Sequence, residues 1–76
     1  MIIYCLEDVK IELIKRGIFP KEKMAIDKHG MHRSGLCFYV ASVLKGMYIK
    51  LAEDLVKTSN MKVYYDQFSE EVNIDL

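Results

Sequence analysis

The most apolar stretch of the chain lies at its centre and runs directly into an amphipathic segment. Residues 36–44 carry the sequence LCFYVASVL, and polar residues recur at three- and four-residue steps from Ser42 to Lys57. Such spacing places polar and apolar side chains on opposite faces of a helix. With Ser34 as a suitable N-cap residue, the pattern predicts a long apolar helix over about 35–57.

The same apolar run is also typical of a buried strand, since periodicity alone does not separate a buried strand from a buried helix. The alternative interpretation makes 36–44 a strand and 47–58 a short helix. A helix of about 25 residues would span roughly 37 Å, which exceeds the diameter of about 30 Å expected for a chain of this size. Gly46 costs about 1 kcal/mol relative to alanine in a helix interior, so we expect a break there or a close approach of another backbone.

The segments before this stretch are candidates for two further helices. A helix over about 3–16 is indicated by apolar residues at helical spacing and by Gly17, a common residue just beyond a helix C-terminus. The apolar residues that share one face are Ile2, Leu6, Val9 and Leu13. Pro20 suits the first turn of a helix and Gly30 suits the position after its end, so 20–29 is a candidate for a short helix.

The end of the chain has the pattern of a β-hairpin. Residues 61–68 are rich in strand-forming side chains, and residues 71–76 alternate between apolar and polar positions. Two strands alone are marginal in water and leave exposed edges, so another chain or a ligand is expected at this hairpin. The sequence has no linker, repeat or low-complexity stretch, and we therefore predict a single small domain, 1–76, of the α+β class that is mostly α.

The composition limits the classes of partner. Hydrophobic residues make up 51% of the 76 residues, whereas a domain of this size buries only about 60% of the surface of its unfolded chain. Self-association as a homodimer or higher homo-oligomer is the simplest way to cover the surplus. The 11 basic and 11 acidic residues give a formal net charge of zero, which disfavours nucleic acid as a partner because phosphate binding needs a basic excess.

Cysteine usage and the N-terminal sequence indicate the compartment. Cys5 and Cys37 both lie among apolar residues, and we expect them to be buried, reduced thiols. The N-terminus lacks the basic and apolar regions of a signal peptide, and no run reaches the roughly 18 apolar residues of a membrane span. The expected localisation is therefore cytoplasmic.

A basic loop precedes the predicted long helix and is the sharpest candidate for a binding site. A helix N-terminus offers free backbone N–H groups and the positive end of the helix dipole, and glycine lets a ligand approach the backbone. These features predict a site for a phosphate-bearing nucleotide or another anion. Its candidate residues are Lys28, His32, Arg33, Ser34 and Gly35. The competing interpretation is an ordinary solvated loop, because no phosphate-loop or dinucleotide motif is present.

The sequence carries no catalytic or metal-binding signature. His29, His32 and Cys37 lack the spacing of a four-ligand zinc site, so neither a metal nor a cofactor is expected. Ser34 or Cys37 with His32 is the only candidate pair for nucleophilic catalysis. Nothing in the sequence indicates an oxyanion hole or a substrate cleft, so an enzyme is not expected. Three helices and a hairpin is also the element order of winged-helix DNA readers, but the predicted third helix is too apolar to enter a major groove.

The expected function is therefore that of a binding protein. We predict a small, non-enzymatic, cytoplasmic homo-oligomer that regulates or inhibits a larger protein partner, as accessory proteins of phages or mobile elements do, defence-system inhibitors among them. Its predicted interface residues are Val40, Leu44, Met47, Tyr48, Tyr64 and Tyr65. The alternative is a small-ligand binder that sequesters a phosphate-bearing nucleotide through the basic loop 28–35. A purely structural subunit is a third option.

Overall fold

The fold consists of one antiparallel sheet with helices on one of its faces. The computed structural model describes residue 3 and residues 5–76, apart from the side chain of Ala25. In chain order the elements are α1 (Leu6–Lys15), β1 (Lys21–Ile26), β2 (His32–Tyr39), a 3-10 helix (Ser42–Leu44), α2 (Lys45–Val56), β3 (Lys62–Asp66) and β4 (Glu71–Asp75). The domain measures 33 × 31 × 18 Å along its principal axes, as expected for one sheet covered by one layer of helices.

The four strands form a single sheet in the order β1-β2-β4-β3, and every neighbouring pair is antiparallel. The register places Leu36 opposite Ile74 and Phe38 opposite Val72 at the centre of the sheet. Side chains alternate between the two faces along a strand, so these four share the face on which α1 and α2 pack. The buried core also contains Ile3, Val9, Leu13, Val40, Ala52, Leu55 and Val56.

The helix α1 lies within the range 3–16 that the sequence predicts to be helical. The carboxylate of Asp8 caps its first turn by accepting a hydrogen bond from the N-cap backbone at 3.1 Å. At its other end, the N–H of Gly17 donates to the carbonyl of Ile14 at 2.9 Å, and Gly17 has a φ of 79°. This is the left-handed C-terminal motif that glycine favours. Ile2, which the sequence pattern assigns to the apolar face of this helix, lies outside the described residues.

The predicted mostly α architecture, with a long apolar helix over 35–57, is wrong. The first part of that segment belongs to β2. The alternative of a strand over 36–44 and a short helix over 47–58 has the right order of elements, but the strand ends at Tyr39 and residues 42–44 form a 3-10 helix. The apolar run is continuous because the centre of β2 is buried on both faces. Leu36 and Phe38 face the helices, while Cys37, on the other face, is only 7% exposed. A strand buried on both sides does not show an alternating pattern.

The change from sheet to helix occurs before Gly46, which is neither a break point nor a place of close backbone approach. Gly46 lies in the first turn of α2, and a Cβ atom placed on it would meet nothing within 4 Å. The chain bends instead between Val40 and Leu44, where the 3-10 helix leads into α2. Neither α1 nor α2, the two α-helices of the described part of the chain, is long and apolar enough to cross a membrane.

The short helix considered for 20–29 is also wrong, because this segment forms β1 and the turn into β2. Asp27 organises the turn: its Oδ1 accepts hydrogen bonds from the backbone N–H groups of His29 at 2.9 Å and Met31 at 3.0 Å. The N–H of Asp27 donates to the carbonyl of Met31 at 3.0 Å and closes the hairpin. Gly30 ends no helix; it adopts a φ of 77° within this turn. Pairing of all six β1 residues with β2 outweighs the local helix signals.

The C-terminal hairpin is present, but it does not stand alone. β3 pairs with β4, and β4 pairs in turn with β2, so that β4 is a central strand. The helix α2 packs against β3. The hydroxyl of Tyr65 donates a hydrogen bond to the carbonyl of Val40 at 2.6 Å, which ties β3 to the segment that follows β2. Contacts within the chain thus stabilise the hairpin.

Candidate functional site

The outer face of the sheet, opposite the helices, carries a cluster of polar side chains around Lys23. Its ammonium nitrogen Nζ lies 2.8 Å from Oδ1 of Asp75 and donates to the hydroxyl of Tyr64 at 2.9 Å. It also donates to the side-chain carbonyl of Asn73, a residue that is 6% exposed. The side chain of Lys23 therefore crosses β2 to reach residues of β4 and β3.

Gly35 makes this crossing feasible. It stands directly between Lys23 and Asp75 in the register of the sheet. A Cβ atom on Gly35 would lie 2.9 Å from Cε of Lys23, 2.6 Å from Oδ1 of Asp75 and 2.8 Å from the carbonyl of Ile74. These separations are shorter than any normal carbon contact, so a side chain at this position would displace the lysine stem. A glycine inside a strand often marks such a close approach.

The charges in this cluster are balanced within it. Burial lowers the pKa of Lys23, but the interactions with the Asp75 carboxylate and the Tyr64 hydroxyl outweigh it and hold the pKa above the usual value of 10.5. The contact with Asp75 is a close ion pair, and Oδ1 has no hydrogen-bond partner among the described residues. We regard it as a salt bridge, because the two charged atoms are only 2.8 Å apart.

Cys37 belongs to the adjacent row of the same face, beside Lys21 and Asn73 in the register. Burial raises the pKa of its thiol, and the negative charge of Glu71 adds to the effect. Lys21 bonds to Glu71 at 3.2 Å and holds the pKa of that carboxyl below its usual value. A protonated, buried thiol is a poor nucleophile. The outer-face cluster is thus a network of ion pairs and hydrogen bonds next to a shielded thiol.

Cys5 is not buried as Cys37 is, although the sequence predicts that both thiols are buried. It is exposed, and its thiol lies 3.6 Å from Oδ2 of Asp8 at the start of α1. The expectation of two buried thiols therefore holds for Cys37 and is wrong for Cys5. Within the described residues, no group of three or more histidine, cysteine or acidic side chains is placed to hold a metal ion.

The predicted anion site has a different geometry from the one that the sequence suggests. No helix starts at Ser34 and Gly35; both residues lie in β2 and pair with β1. Arg33 is engaged by Asp27, with its Nε atom 3.0 Å from Oδ2, and its Nη1 atom also donates to the carbonyl of Leu76 at 3.3 Å. The helix N-terminus and the uncommitted arginine on which the site depends are therefore both missing from this segment.

The remaining members of the basic loop lie on the surface of the β1–β2 hairpin. Lys28, His29 and His32 are exposed, and Lys28 has no ion-pair partner in the described part of the chain. The Asp27 carboxylate in their midst has a pKa below its usual value, first because it accepts the backbone N–H of Met31 and then because it pairs with Arg33. A fixed negative charge thus sits inside the loop and offsets its basic character.

Three of the predicted interface residues are engaged within the chain. Val40 is 4% exposed and belongs to the core. Tyr48 packs edge-on against Phe38, with ring centroids 6.3 Å apart. Tyr65 is half-buried and bonds to the carbonyl of Val40. These side chains contribute to the stability of the domain itself, and substitution of Val40 tests folding rather than association.

The other three predicted interface residues are accessible. Tyr64 is 46% exposed on the outer face, next to Lys23. Leu44 is 47% exposed and Met47 is 59% exposed, and Val43 beside them is 87% exposed. We call Val43, Leu44 and Met47 the α2 patch. Met47 also lines a shallow groove of about 440 Å³ between α2 and the end of α1, together with Arg16, Lys50, Leu51, Asp54 and Leu55.

The Lys23 cluster is the part of the molecule that the sequence interpretation misses. Its residues are spread over four strands, so spacing along the chain gives no hint of their proximity. One local signal is present: Gly35 stands inside an otherwise strand-like stretch, which typically marks close backbone or side-chain approach. Comparison of the chain with protein-family models, with curated proteins and with solved structures found no match.

Proposed function

We propose that this chain is a non-enzymatic, cytoplasmic binding protein that associates with itself and docks on a larger protein, which it regulates or inhibits. The observation that carries the proposal is the α2 patch. Three large apolar side chains stand next to one another on the surface at the start of a helix, where they add nothing to the core. Contiguous apolar surface of this kind is typical of protein interaction sites.

The geometry of the patch favours an extended or helical segment of a protein partner. Val43 and Leu44 lie in the 3-10 helix that leads into α2, and Met47 follows them in the first turn of α2. The adjoining groove continues this surface along α2 and carries charges of both signs from Arg16 and Asp54. A central apolar contact with a charged rim is the usual anatomy of a protein interface.

The geometry of the basic loop disfavours the nucleotide-binding alternative. It depends on a helix N-terminus at Ser34 and on a free guanidinium at Arg33. Ser34 lies in a strand, and Arg33 pairs with the carboxylate of Asp27. An anion at this loop would have to displace that carboxylate and would lack a helix dipole to stabilise it.

The proposal is tested by placing a photo-crosslinking benzoylphenylalanine at Val43 and, as a control, at Lys57 near the other end of α2. In its own host, the Val43 variant should capture one protein species that the Lys57 variant does not capture. The captured protein is then purified and titrated against the parent chain and against Leu44→Asp. The substitution should weaken binding at least about tenfold, because it places a carboxylate in an apolar contact.

Two results would count against the proposal. Equal crosslinking at Val43 and Lys57 would show that contact at the patch is incidental. Unchanged affinity of the purified partner for Leu44→Asp, which keeps the fold because Leu44 is outside the core, would show that the α2 patch does not bind it.

A further inference from the structure

The strand β1 is an exposed edge whose inner face lacks a cover. It is the first strand in the order β1-β2-β4-β3, so only one of its two sides is paired within the chain. The helices pack on β2, β3 and β4. Met24 is 65% exposed and Ile26 is 66% exposed, although their even positions place them on the helix side of the sheet. An edge of this kind is a template for pairing with another strand.

The backbone groups available along this edge follow from the hairpin geometry. Asp27 and Met31 form a hydrogen-bonded pair, since the N–H of Asp27 donates to the carbonyl of Met31. Hydrogen-bonded and non-hydrogen-bonded pairs alternate along an antiparallel ladder. Odd-numbered residues of β1 therefore direct their backbone groups toward β2. The N–H and C=O groups of Glu22, Met24 and Ile26 point outward, away from the sheet.

The charge pattern of β1 is complementary to that of a second, antiparallel copy of β1. The segment reads Lys-Glu-Lys-Met-Ala-Ile-Asp-Lys over residues 21–28. Reflection about Ala25 sets Met24 against Ile26, Lys23 against Asp27 and Glu22 against Lys28. From Glu22 to Lys28 each charged residue then faces one of the opposite sign and the apolar residues face each other, while Lys21 faces His29. Glu22, Lys23 and Asp27 also form ion pairs within the chain. Opposite charges and apolar side chains at directly opposed positions stabilise antiparallel pairs.

We propose that two copies of the chain pair antiparallel through β1, about a twofold axis at Ala25, to form one continuous eight-stranded sheet with four strands from each copy. Met24 and Ile26 of the two copies then exchange about four main-chain hydrogen bonds. This pairing rests on the self-association that forms part of the proposed function and names its surface. The α2 patch stays free for a different partner.

Neighbouring registers are less favourable on the same criteria. Centring the pair on Lys23 sets that lysine against its own copy, and like charges directly opposed are destabilising. Centring on Met24 sets the carboxylate of Glu22 against the side chain of Ile26. If the helices of both copies lie on the same side of the continuous sheet, the register between the two β1 strands changes only in steps of two residues. A shift of one residue would turn the helix-covered face of one copy to the opposite side.

Apolar surface on α1 supports the same pairing. Lys10 of α1 bonds to Glu22 of β1 at 3.1 Å, which fixes the side of α1 that overlooks this edge. Ile14 follows Lys10 by about one turn and is 41% exposed, and Ile11 is 45% exposed. A groove of about 450 Å³, lined by Leu6 and Met24 among others, separates α1 from β1 and β2. A second copy along β1 brings its own Met24 and Ile26 to this surface.

The other edge of the sheet is less suited to a second copy. The inner face of β3 is covered by α2. Val63 and Tyr65 pack against the core there.

A cysteine placed on the twofold axis tests this arrangement. The Ala25→Cys variant is made in a Cys5→Ser background, which removes the exposed native thiol. Two copies of residue 25 form a non-hydrogen-bonded pair with Cα atoms about 4.5 Å apart, which is within the range for a disulfide. Mild oxidation should give a covalent dimer. Lys57→Cys in the same background is the control and should remain monomeric on a denaturing, non-reducing gel.

Matched surface substitutions provide a second measurement. Met24→Lys should raise the dimer dissociation constant at least about tenfold, since it places a charge in the pairing surface. Met47→Lys, at a methionine of similar exposure, should not change it. Glu22→Lys and Lys28→Glu should each weaken the dimer, and the double variant should recover it. Failure of the double variant to recover the dimer would contradict the register centred on Ala25.

The outcomes separate this pairing from the broader proposal. The β1 pairing alone would be overturned by three results together. The parent chain dimerises, Ala25→Cys crosslinks no faster than Lys57→Cys, and Met24→Lys leaves the dimer intact. A parent chain that stays monomeric would overturn self-association and the β1 pairing together, and docking through the α2 patch would remain testable by the crosslinking at Val43.

Discussion

Lys23 on β1 and Asp75 on β4 form an ion pair across the intervening strand, with 2.8 Å between Nζ and Oδ1. The two strands are not neighbours, and the lysine stem passes over Gly35 to connect them. Both side chains are largely shielded, with 22% and 23% exposed. This contact ties the edge strand β1 to the centre of the sheet.

Loss of the lysine should destabilise the domain. Lys23→Met leaves the carboxylate of Asp75 and the side-chain carbonyl of Asn73 without their cation, at an expected cost of about 1–3 kcal/mol in the free energy of unfolding. Replacing both members of the pair, with Lys23→Met and Asp75→Leu, should recover part of that cost because no orphaned charge remains. Urea denaturation followed by circular dichroism measures both changes.

Lys21→Met is the matched control for this pair. The side chain of Lys21 is 73% exposed and pairs with Glu71 at 3.2 Å. An exposed salt bridge contributes only about 0–1 kcal/mol, so its loss should cost clearly less than Lys23→Met. Equal losses in the free energy of unfolding for Lys21→Met and Lys23→Met would show that the shielded Lys23–Asp75 pair stabilises the domain no more than an exposed salt bridge does.

Two glycine substitutions should act in opposite directions. Gly35→Ala introduces a Cβ atom 2.8 Å from the backbone carbonyl of Ile74, and the strand must shift to admit it, at a cost of about 1–3 kcal/mol. Gly46→Ala meets no atom within 4 Å and lies in a helix, so it should stabilise the domain by about 0.4–1 kcal/mol. Thermal melting of both variants tests this; a stabilised Gly35→Ala variant would refute the crossing geometry.

Stability should fall on acidification. The pKa of Asp27 lies below its usual 3.8 and that of Glu71 below its usual 4.5, since both carboxylates accept hydrogen bonds in the folded chain. Groups with a lowered folded-state pKa stabilise the fold above the unfolded pKa, and this contribution is lost as the pH falls through the folded value. The melting temperature should therefore be steady above about pH 5 and decline below about pH 4.

Glu71→Gln provides the check on that assignment. The variant should be less stable near neutral pH, because the pairing with Lys21 is lost, and its decline in acid should be shallower. A melting temperature in the parent chain that rises as the pH is lowered would be opposite in sign to the expectation.

The two thiols should react at different rates. Cys5 is exposed, whereas Cys37 is buried and its pKa is raised by that burial. A thiol reagent at neutral pH should modify one cysteine quickly and the second only as fast as the domain opens. Mass spectrometry after partial labelling identifies which is modified. Rapid labelling of Cys37 would show that the outer-face cluster does not shield it.

The sequence predicts the elements whose boundaries depend on local contacts. The end of α1 at Gly17 follows from the backbone freedom of glycine, and the observed φ of 79° matches that requirement. The hairpin at the end of the chain follows from alternation in residues 71–76. Both signals are contained within a few residues, so they can be read without knowledge of the tertiary fold.

The central strands are harder to predict because their pattern is set by distant residues. Cys37 is shielded on the outer face of β2, where alternation would place a polar, exposed residue. Lys23 and Asn73 help to cover that face from other strands. The resulting run of apolar residues matches a buried helix as well as a strand.

The candidate sites show the same division between local and distant information. The α2 patch includes Leu44 and Met47, which the sequence already marks as interface residues. The predicted anion site instead required a helix to begin at Ser34, and that start disappears once the segment pairs with β1. The aspartate that pairs with Arg33 precedes it by six residues, and only the hairpin turn brings the two together.

Sedimentation velocity of the parent chain over a micromolar concentration range tests most directly whether this is a self-associating binding protein. We predict a concentration-dependent shift to a species of about twice the chain mass of 8.9 kDa, because exposed apolar edges associate as the concentration of the chain rises. A single species of 8.9 kDa at every concentration, in a chain shown to be folded by circular dichroism, would contradict it.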